Sequence, residues 1–220
     1  MIAGHVQEPR WRRLPEERPR QIIEAALDVF GDHGLAAARL EDIARRAGVS
    51  KGTIYLYFPN KEALFCEMVR VMVSESIDRA QARTNTAAPA AEQLADYART
   101  LWEYVRSPLA GKMQRLVQGE LQGYPHLLEF FFREVSQRSM SLVADIIRRG
   151  ITSGEFRDTD PMVAARMLHA IMIKHGLWCA QREHLPFLGQ LSDDDVLAQV
   201  LDFFHHAIRR VPDASVTTRA

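Results

Sequence analysis

The 220-residue sequence has only two cysteines, Cys66 and Cys179, and each lies in an apolar stretch with helical periodicity. This placement favours two buried thiols over a disulfide. The sequence also lacks a run of about 20 apolar residues, the length that spans a bilayer, and Met1–Val6 lacks the apolar core of a secretory signal. We therefore expect a cytoplasmic protein with no membrane partner.

The sequence has no net charge, because 28 lysine and arginine side chains balance 28 aspartate and glutamate side chains. Total charge thus gives no sign of a nucleic-acid partner. The distribution is more informative: residues 9–20 hold five arginines and two glutamates, and residues 39–61 hold five cations and two acids. We predict that residues 1–18 form a flexible basic arm that contacts phosphates, although a solvated surface explains its charge equally well.

Catalytic and metal-binding patterns are scarce. His169, His175, Cys179 and His184 lack the close Cys-x-x-Cys or His-Glu-x-x-His spacing of zinc sites. Ser153 has no strand-turn-helix context that would suit a nucleophile elbow, and no glycine-rich loop suits a phosphate. We expect no metal, no cofactor and no enzymatic activity, and we interpret the histidines as dimer-interface or surface residues.

The most informative stretch is a pair of short amphipathic helices joined by a turn. Residues 40–47 place an apolar stripe on one face, formed by Leu40, Ile43, Ala44 and Ala47. Gly48 tolerates a sharp turn, and Ser50 can cap the next helix. Ile54 and Phe58 face the first helix, and the outer surface is left to Lys51, Thr53, Tyr55, Leu56 and Tyr57. This pattern predicts a helix-turn-helix that binds DNA, because these side chains can contact phosphates and bases.

Five motifs occur in order between residues 20 and 66: Asp42-Ile43-Ala44, Gly48-Val49-Ser50, Thr53-Ile54-Tyr55, Tyr57-Phe58 and Asn60-Lys61-Glu62-Ala63-Leu64. Together they resemble the signature of the TetR family of bacterial transcriptional regulators. The resemblance implies that the DNA-contacting residues are Ser50, Lys51, Thr53, Tyr55, Tyr57 and Lys61. It also implies a C-terminal domain that binds a small-molecule effector and forms a homodimer.

One position departs from this signature. The family usually has Thr or Ser before the second helix, where this chain has Ala38-Arg39. The missing cap is expected to cost about 1 kcal/mol. We expect Arg39 to contact a phosphate instead.

Helical periodicity continues through most of the remaining chain. Helices are predicted over residues 21–30, 61–83, 90–106, 108–122, 125–149, 161–182 and 193–210, with 84–89 as a linker. Gly34, Gly123 and Gly150 are predicted C-terminal stops, and Asn60, Ser107, Asp160 and Ser192 are predicted N-caps. The expected fold is all-α, with about nine helices. Its predicted parts are an arm (1–18), a helix-turn-helix domain (19–66), a ligand-binding and dimerisation domain (67–211) and a disordered tail (212–220).

The helices over 161–182 and 193–210 are apolar on more than one side. One face can pack into the protein's own core, so the other needs a partner. We predict a homodimer in which these helices form a four-helix bundle, with Met167, Ile171, Val200, Leu201, Phe204 and Ile208 at the interface. A central core helix in a monomer is the alternative.

Bulky aromatic and methionine side chains are concentrated between residues 102 and 178. Such a set can form a core or the wall of a site for an apolar or amphipathic effector. The residues predicted to line the site are Trp102, Met113, Tyr124, Phe131, Met167 and Trp178. Together with these residues, the resemblance to the TetR family implies a repressor that a small molecule releases from an inverted-repeat operator. The alternative is an effector-binding or interaction module that no longer reads DNA.

Overall fold

The computed structural model describes residues 17–71, 77–78, 81–82 and 87–210. The chain divides into two compact units, Met1–Met68 and Val69–Ala220, which we call unit 1 and unit 2. Most of the predicted basic arm, much of the second half of the helix predicted over 61–83, part of the 84–89 linker and the tail over 212–220 lie outside the described residues.

Unit 1 consists of α1 (Glu17–Ala37), α2 (Leu40–Arg46), α3 (Lys51–Tyr57) and α4 (Lys61–Val69), whose last residue belongs to unit 2. Its core is apolar, and the rings of Phe30 and Phe65 pack edge to face with centroids 6.3 Å apart. Ile43 of α2 and Ile54 of α3 are completely buried. Gly34 breaks the helix as predicted, because its φ of 78° and ψ of 165° are non-helical, and a further short helical stretch then continues to Ala37.

Unit 2 contains α5 (Ala90–Val105), α6 (Pro108–Arg115), α7 (Pro125–Phe131), α8 (Arg138–Ser153), α9 (Pro161–Ala180) and α10 (Asp193–Ile208). Two π-helical segments, Leu116–Glu120 and Phe132–Gln137, and short 3-10 turns lie between them. A hydrophobic core joins α5, α8, α9 and α10. Among the described residues the only strand-like pairing is an isolated bridge between Phe156 and Arg209. The all-α fold class is therefore confirmed.

Local capping signals were accurate. Ser107 and Asp160 cap the helices that follow them, and Ser192 forms a capping box with Asp195. Asn60 Oδ1 accepts a hydrogen bond 2.8 Å long from the backbone N–H of Ala63. These contacts depend on residues three apart or fewer, which explains why the sequence reveals them.

Two predicted helices of unit 2 differ from the structure. The helices expected over 108–122 and 125–149 are interrupted where the two π-helical segments begin. Gly150 is not a stop, since α8 continues to Ser153 and Gly154, with a φ of 81°, ends it. Gly150 instead makes room for a ring, because a Cβ at this position would lie 2.2 Å from Cδ2 of Phe156.

The loop over residues 154–157 connects three helices of unit 2. The Glu155 carboxylate accepts hydrogen bonds, both 3.1 Å long, from the N–H groups of Ala90 and Ala91 at the start of α5. Arg157 Nε donates to the carbonyl of Ala207 near the end of α10, at 2.7 Å. Phe156 N–H donates to Gly150 of α8. The loop thus closes one end of the four-helix core.

The described helices include none that is both long enough and apolar enough to cross a membrane. Cys66 and Cys179 are both thiols, as the sequence predicted, but only Cys179 is buried and Cys66 is half-buried.

Candidate functional site

Helix α3 presents a polar and aromatic face to solvent. Gly48 adopts a φ of 66°, and the Ser50 hydroxyl accepts a hydrogen bond 3.1 Å long from the N–H of Thr53. This cap fixes the start of a helix only seven residues long. Tyr55 is 46% exposed and Tyr57 36% exposed, whereas Ile54 holds the helix against the core of unit 1. The outward face thus contains Lys51, Tyr55 and Tyr57, which the sequence assigned to DNA, together with Leu56, which it did not.

The cation at the start of α3 has an acidic partner. Lys51 Nζ lies 2.5 Å from the Glu41 carboxylate and 5.8 Å from the centroid of the Tyr55 ring. The hydrogen bond with Glu41 raises the pKa of Lys51, and the same contact lowers the pKa of Glu41. Both side chains are exposed, so the pair contributes little to stability. It does position the ammonium group beside the exposed phenol.

Lys61 is held differently. Its ammonium group donates to the carbonyl of Ala36 at 2.8 Å and reaches that of Ala38 at 3.5 Å. These carbonyls lie at and just beyond the C-terminal end of α1, where a positive charge is favourable. The structure therefore gives Lys61 a role in joining α4 to α1, which the sequence did not indicate.

Arg39 is exposed and precedes α2 in an extended conformation. Its side chain makes no capping hydrogen bond to α2. The cap that Thr or Ser would provide is therefore absent, as the sequence predicted. Arg45 and Arg46, on the same helix, form ion pairs with Asp42 and Asp28 respectively.

Unit 2 contains two adjoining cavities. The larger has a volume of about 310 Å³ and is lined in part by Met113, Phe131 and Leu177. The smaller has a volume of about 80 Å³ and is lined in part by Tyr97 and His169. Both are lined by Tyr104, Val105, Val135, Ser136 and Ile173. We call the pair the effector cavity, and the smaller part its inner chamber.

The residues that the sequence assigned to an effector site are dispersed. Met113 and Phe131 line the effector cavity. Trp102 is 2% exposed and packs in the hydrophobic core of unit 2, so it is a core residue and does not line the cavity. Tyr124 lines neither chamber, Met167 is exposed on α9, and Trp178 lines a separate groove. Bulk and apolar character did not distinguish a cavity wall from a core or a surface.

The sequence missed a buried polar cluster at the inner chamber. The Tyr97 hydroxyl lies 2.5 Å from Ser139 Oγ and 2.8 Å from His169 Nε2. Burial raises the pKa of Tyr97 and lowers that of His169 to about 4. Both side chains are therefore neutral at pH 7. Only the lone His169 stood out in the sequence, and its partners come from two other helices.

A separate groove of about 470 Å³ lies along α9 and α10, and its wall includes Ile171, Trp178 and Phe203. Phe203 is 67% exposed and Met167 58% exposed. Three predicted interface residues are instead buried in their own chain: Val200 forms part of the groove floor, and Phe204 and Ile208 lie in the core. Leu201 is half-buried against that core. Because α10 has two apolar faces, the sequence did not show which one turns inward.

No group of three or more potential metal ligands occurs within the described ranges. Cys179 is buried and accepts a hydrogen bond from Arg182, which also pairs with Asp193. Burial and the Asp193 charge raise the pKa of this thiol. A raised pKa makes a cysteine a poor nucleophile.

Two family profiles match the chain. Residues 22–68 match "Bacterial regulatory proteins, tetR family", and residues 92–209 match "AefR-like transcriptional repressor, C-terminal domain". The second match alone covers more than half of the chain. Together the two matches span both units.

Individual proteins agree with the profiles. A fatty acid metabolism regulator protein of Bacillus subtilis is 30% identical over 160 residues, which cover 70% of this chain and 80% of that protein. The HTH-type transcriptional repressor KstR2 of Mycolicibacterium smegmatis is 28% identical, over 85% of this chain and 88% of its own. The crystal structure of a transcriptional regulator from Saccharomonospora viridis in complex with choline superimposes with a TM-score of 0.71 at 26% identity, covering 89% of this chain and all of that one. The chain belongs to the TetR family of bacterial transcriptional regulators.

Proposed function

We propose that the protein is a homodimeric repressor that binds an inverted-repeat operator in double-stranded DNA and is released by a small apolar or amphipathic effector. The observation that carries this proposal is the outer face of α3. This capped helix buries Ile54 and leaves Lys51, Tyr55 and Tyr57 exposed. A cation and two phenols on one short helix can donate to phosphate oxygens and reach base edges in a major groove.

The DNA contacts fall into two groups in this proposal. The first belongs to α3 and its cap, formed by Ser50, Lys51, Thr53, Tyr55 and Tyr57. The second consists of Arg39 and Lys61, which flank the helix-turn-helix and contact the backbone. Backbone contacts position the protein on DNA, whereas base contacts determine sequence preference.

A second copy of the chain would cover the exposed apolar surface of α9 and α10. Met167, Ile171 and Phe203 are its centre, because they remain accessible after the core of unit 2 has formed. A dimer with a two-fold axis presents two identical α3 helices. Successive major grooves are about 34–36 Å apart, so the operator is expected to be an inverted repeat with this spacing or a multiple of it.

The effector cavity supports a ligand with a large apolar part. Its volume lies in the range of small-molecule sites, and its wall includes Met113 and Phe131. The Bacillus relative is named for fatty acid metabolism and the Saccharomonospora structure holds choline. Fatty acids and choline therefore belong in a screen for the effector. A ligand changes operator affinity only if it binds the DNA-competent and incompetent conformations differently.

The DNA-binding part is tested by fluorescence anisotropy with the DNA that precedes the protein's own gene. Tyr55→Ala is expected to weaken binding by about tenfold or more, equivalent to about 1.4 kcal/mol. Tyr124→Ala removes a phenol from unit 2 and serves as the matched control, with unchanged affinity expected. Wild-type affinity in Tyr55→Ala, with the protein folded, would contradict the docking of α3.

The dimer is tested by light scattering. Phe203→Glu is expected to give a folded monomer, because an unpaired charge is costly in an apolar contact. His205→Glu places the same charge on another exposed position of α10 and should remain dimeric. A stable wild-type monomer would refute the homodimer.

A further inference from the structure

The inner chamber has a polar end made entirely of hydrogen-bonding groups. Tyr97, Ser139 and His169 are each less than 10% exposed, and Ser139 Oγ lies 3.4 Å from His169 Nε2. When Nε2 of His169 accepts a hydrogen bond from the Tyr97 hydroxyl, the single proton of that hydroxyl is used within the cluster. The serine hydroxyl can still rotate, and lone pairs remain on both oxygens. The cluster can therefore donate to one ligand oxygen and accept from it.

The rest of the effector cavity is uncharged as far as the structure describes its wall. Its middle section is formed by Val105, Val135 and Ile173, together with Tyr104 and Ser136, which carry hydroxyls, and all five line both chambers. The outer chamber adds three amides, Gln114, Gln118 and Gln122, spaced four residues apart along the chain. A section with three aliphatic side chains and two hydroxyl-bearing ones thus separates a buried polar end from an amide-lined outer end.

Both π-helical segments contribute to this cavity. Leu116–Glu120 supplies Val117 and Gln118, and Phe132–Gln137 supplies Val135 and Ser136. A π-helical turn is a wide and uncommon form of helix that occurs frequently at functional sites. Both segments that border the cavity are π-helical, and this observation does not depend on the polar cluster. It supports the interpretation that this cavity holds a ligand.

From this geometry we propose that the effector is an elongated, uncharged molecule that inserts a hydroxyl or carbonyl oxygen between Tyr97, Ser139 and His169, with its apolar body along Val105, Val135 and Ile173. This proposal rests on the proposed function, since it specifies the ligand class of the same cavity. The inner chamber, about 80 Å³ in volume, admits the oxygen and a few carbon atoms. The larger chamber accommodates the rest of the molecule.

Charge provides the selectivity. A carboxylate placed against the buried Tyr97, Ser139 and His169 would meet no lysine or arginine among the described wall residues. A quaternary ammonium group would likewise meet no carboxylate there. An ion buried without a partner costs far more than a hydroxyl that keeps its hydrogen bonds. An alcohol should therefore bind better than an acid or an ammonium ion with the same body.

The wild-type protein tests this by isothermal titration calorimetry with matched probes below their aggregation limits. The probes are 1-decanol, decanoate and decyltrimethylammonium, together with 2-naphthol and 2-naphthoate. At least one of the two alcohols is expected to bind about tenfold more tightly than its charged counterparts. A charged probe that binds as tightly as its alcohol, or the failure of both alcohols to bind, would overturn the proposal.

Variants locate the bound oxygen. Tyr97→Phe and Ser139→Ala each remove one hydroxyl from the cluster and should weaken binding of the alcohol about fivefold or more. Tyr124→Phe removes a phenol outside both chambers and should leave binding unchanged. Circular dichroism verifies that each variant is folded. If Tyr97→Phe does not fold, Ser139→Ala and the wild-type probe series still decide the matter. Unchanged affinity in both folded cluster variants would refute this site.

The two proposals fail in different ways. Probe binding is measured without DNA, whereas the proposed function is measured by operator binding and its loss on ligand addition. If decanoate outcompetes decanol and also releases the operator, the ligand class is wrong and the proposed function stands. If the alcohols are preferred but no operator is bound, only the proposed function fails.

Discussion

Lys61 makes a contact whose removal can be measured in two independent ways. Its ammonium group donates to the Ala36 carbonyl at 2.8 Å, with the Ala38 carbonyl at 3.5 Å. Lys61→Met retains most of the apolar stem and removes the charge. A hydrogen bond from a charged group typically contributes about 1.5–3 kcal/mol, and partial exposure reduces this to about 1 kcal/mol here. The expected decrease in the midpoint of thermal unfolding of unit 1 is about 4–8 °C.

Lys51→Met is the matched control. It also removes one cation from the helix-turn-helix, but the ion pair of Lys51 with Glu41 is exposed. Its loss should leave the stability close to that of the wild-type protein. If both ammonium groups contact phosphates, each variant should lower the slope of log affinity against log salt by about 0.9. The two variants should therefore differ in stability and agree in salt dependence.

Calorimetric unfolding and anisotropy titrations at several salt concentrations distinguish the two effects. A wild-type unfolding temperature in Lys61→Met would show that the carbonyl contacts do not stabilise unit 1. A wild-type salt slope would remove Lys61 from the DNA interface, whatever its effect on stability.

Three further outcomes follow from local geometry. Gly150→Ala should lower the free energy of unfolding, measured by chemical denaturation, by about 1–3 kcal/mol, because its Cβ would overlap the Phe156 ring. Gly119→Ala is the control, since a Cβ there would have no atom within 4 Å and should not destabilise the protein. Equal effects of the two substitutions would contradict this reasoning. Glu155→Gln should cost about 1 kcal/mol at pH 7. Burial alone would raise the pKa of Glu155, but the N–H donors of α5 lower it below its ordinary value. The stability difference between the wild-type protein and Glu155→Gln should therefore disappear as the pH falls through that pKa. A stability difference that does not change with pH would refute this. Ser50→Ala should destabilise unit 1 by about 1 kcal/mol and weaken operator binding, and a neutral result would mean that the cap is dispensable.

Features that depend on neighbouring residues were predictable from the sequence. The left-handed Gly48, the Ser50 cap and the outward face of α3 all follow from residue types within a few positions. Contacts between distant residues were not. Tyr97, Ser139 and His169 come together across separations of 42 and 72 residues, and no local pattern marks such a cluster.

The apolar C-terminal helices show the same limit. Both faces of α10 are apolar, so periodicity indicates that two surfaces are covered but not which of them belongs to the chain's own core. The structure assigns Phe204 to the core and leaves Phe203 exposed. Helix packing, which is determined by the whole unit, overrides the local pattern.

The loop over 154–157 has a consequence for how the protein is made. Its hydrogen bonds join Glu155 to Ala90, 65 residues earlier, and Arg157 to Ala207, 50 residues later. Contacts between residues so far apart in the chain stabilise the fold only after a long loop has closed, and closing that loop costs conformational entropy. During synthesis, α5, α8 and α9 emerge while the apolar side of α10 that covers them is still missing. Unit 1 can fold as soon as α4 is complete, but unit 2 must wait until α10 has been translated.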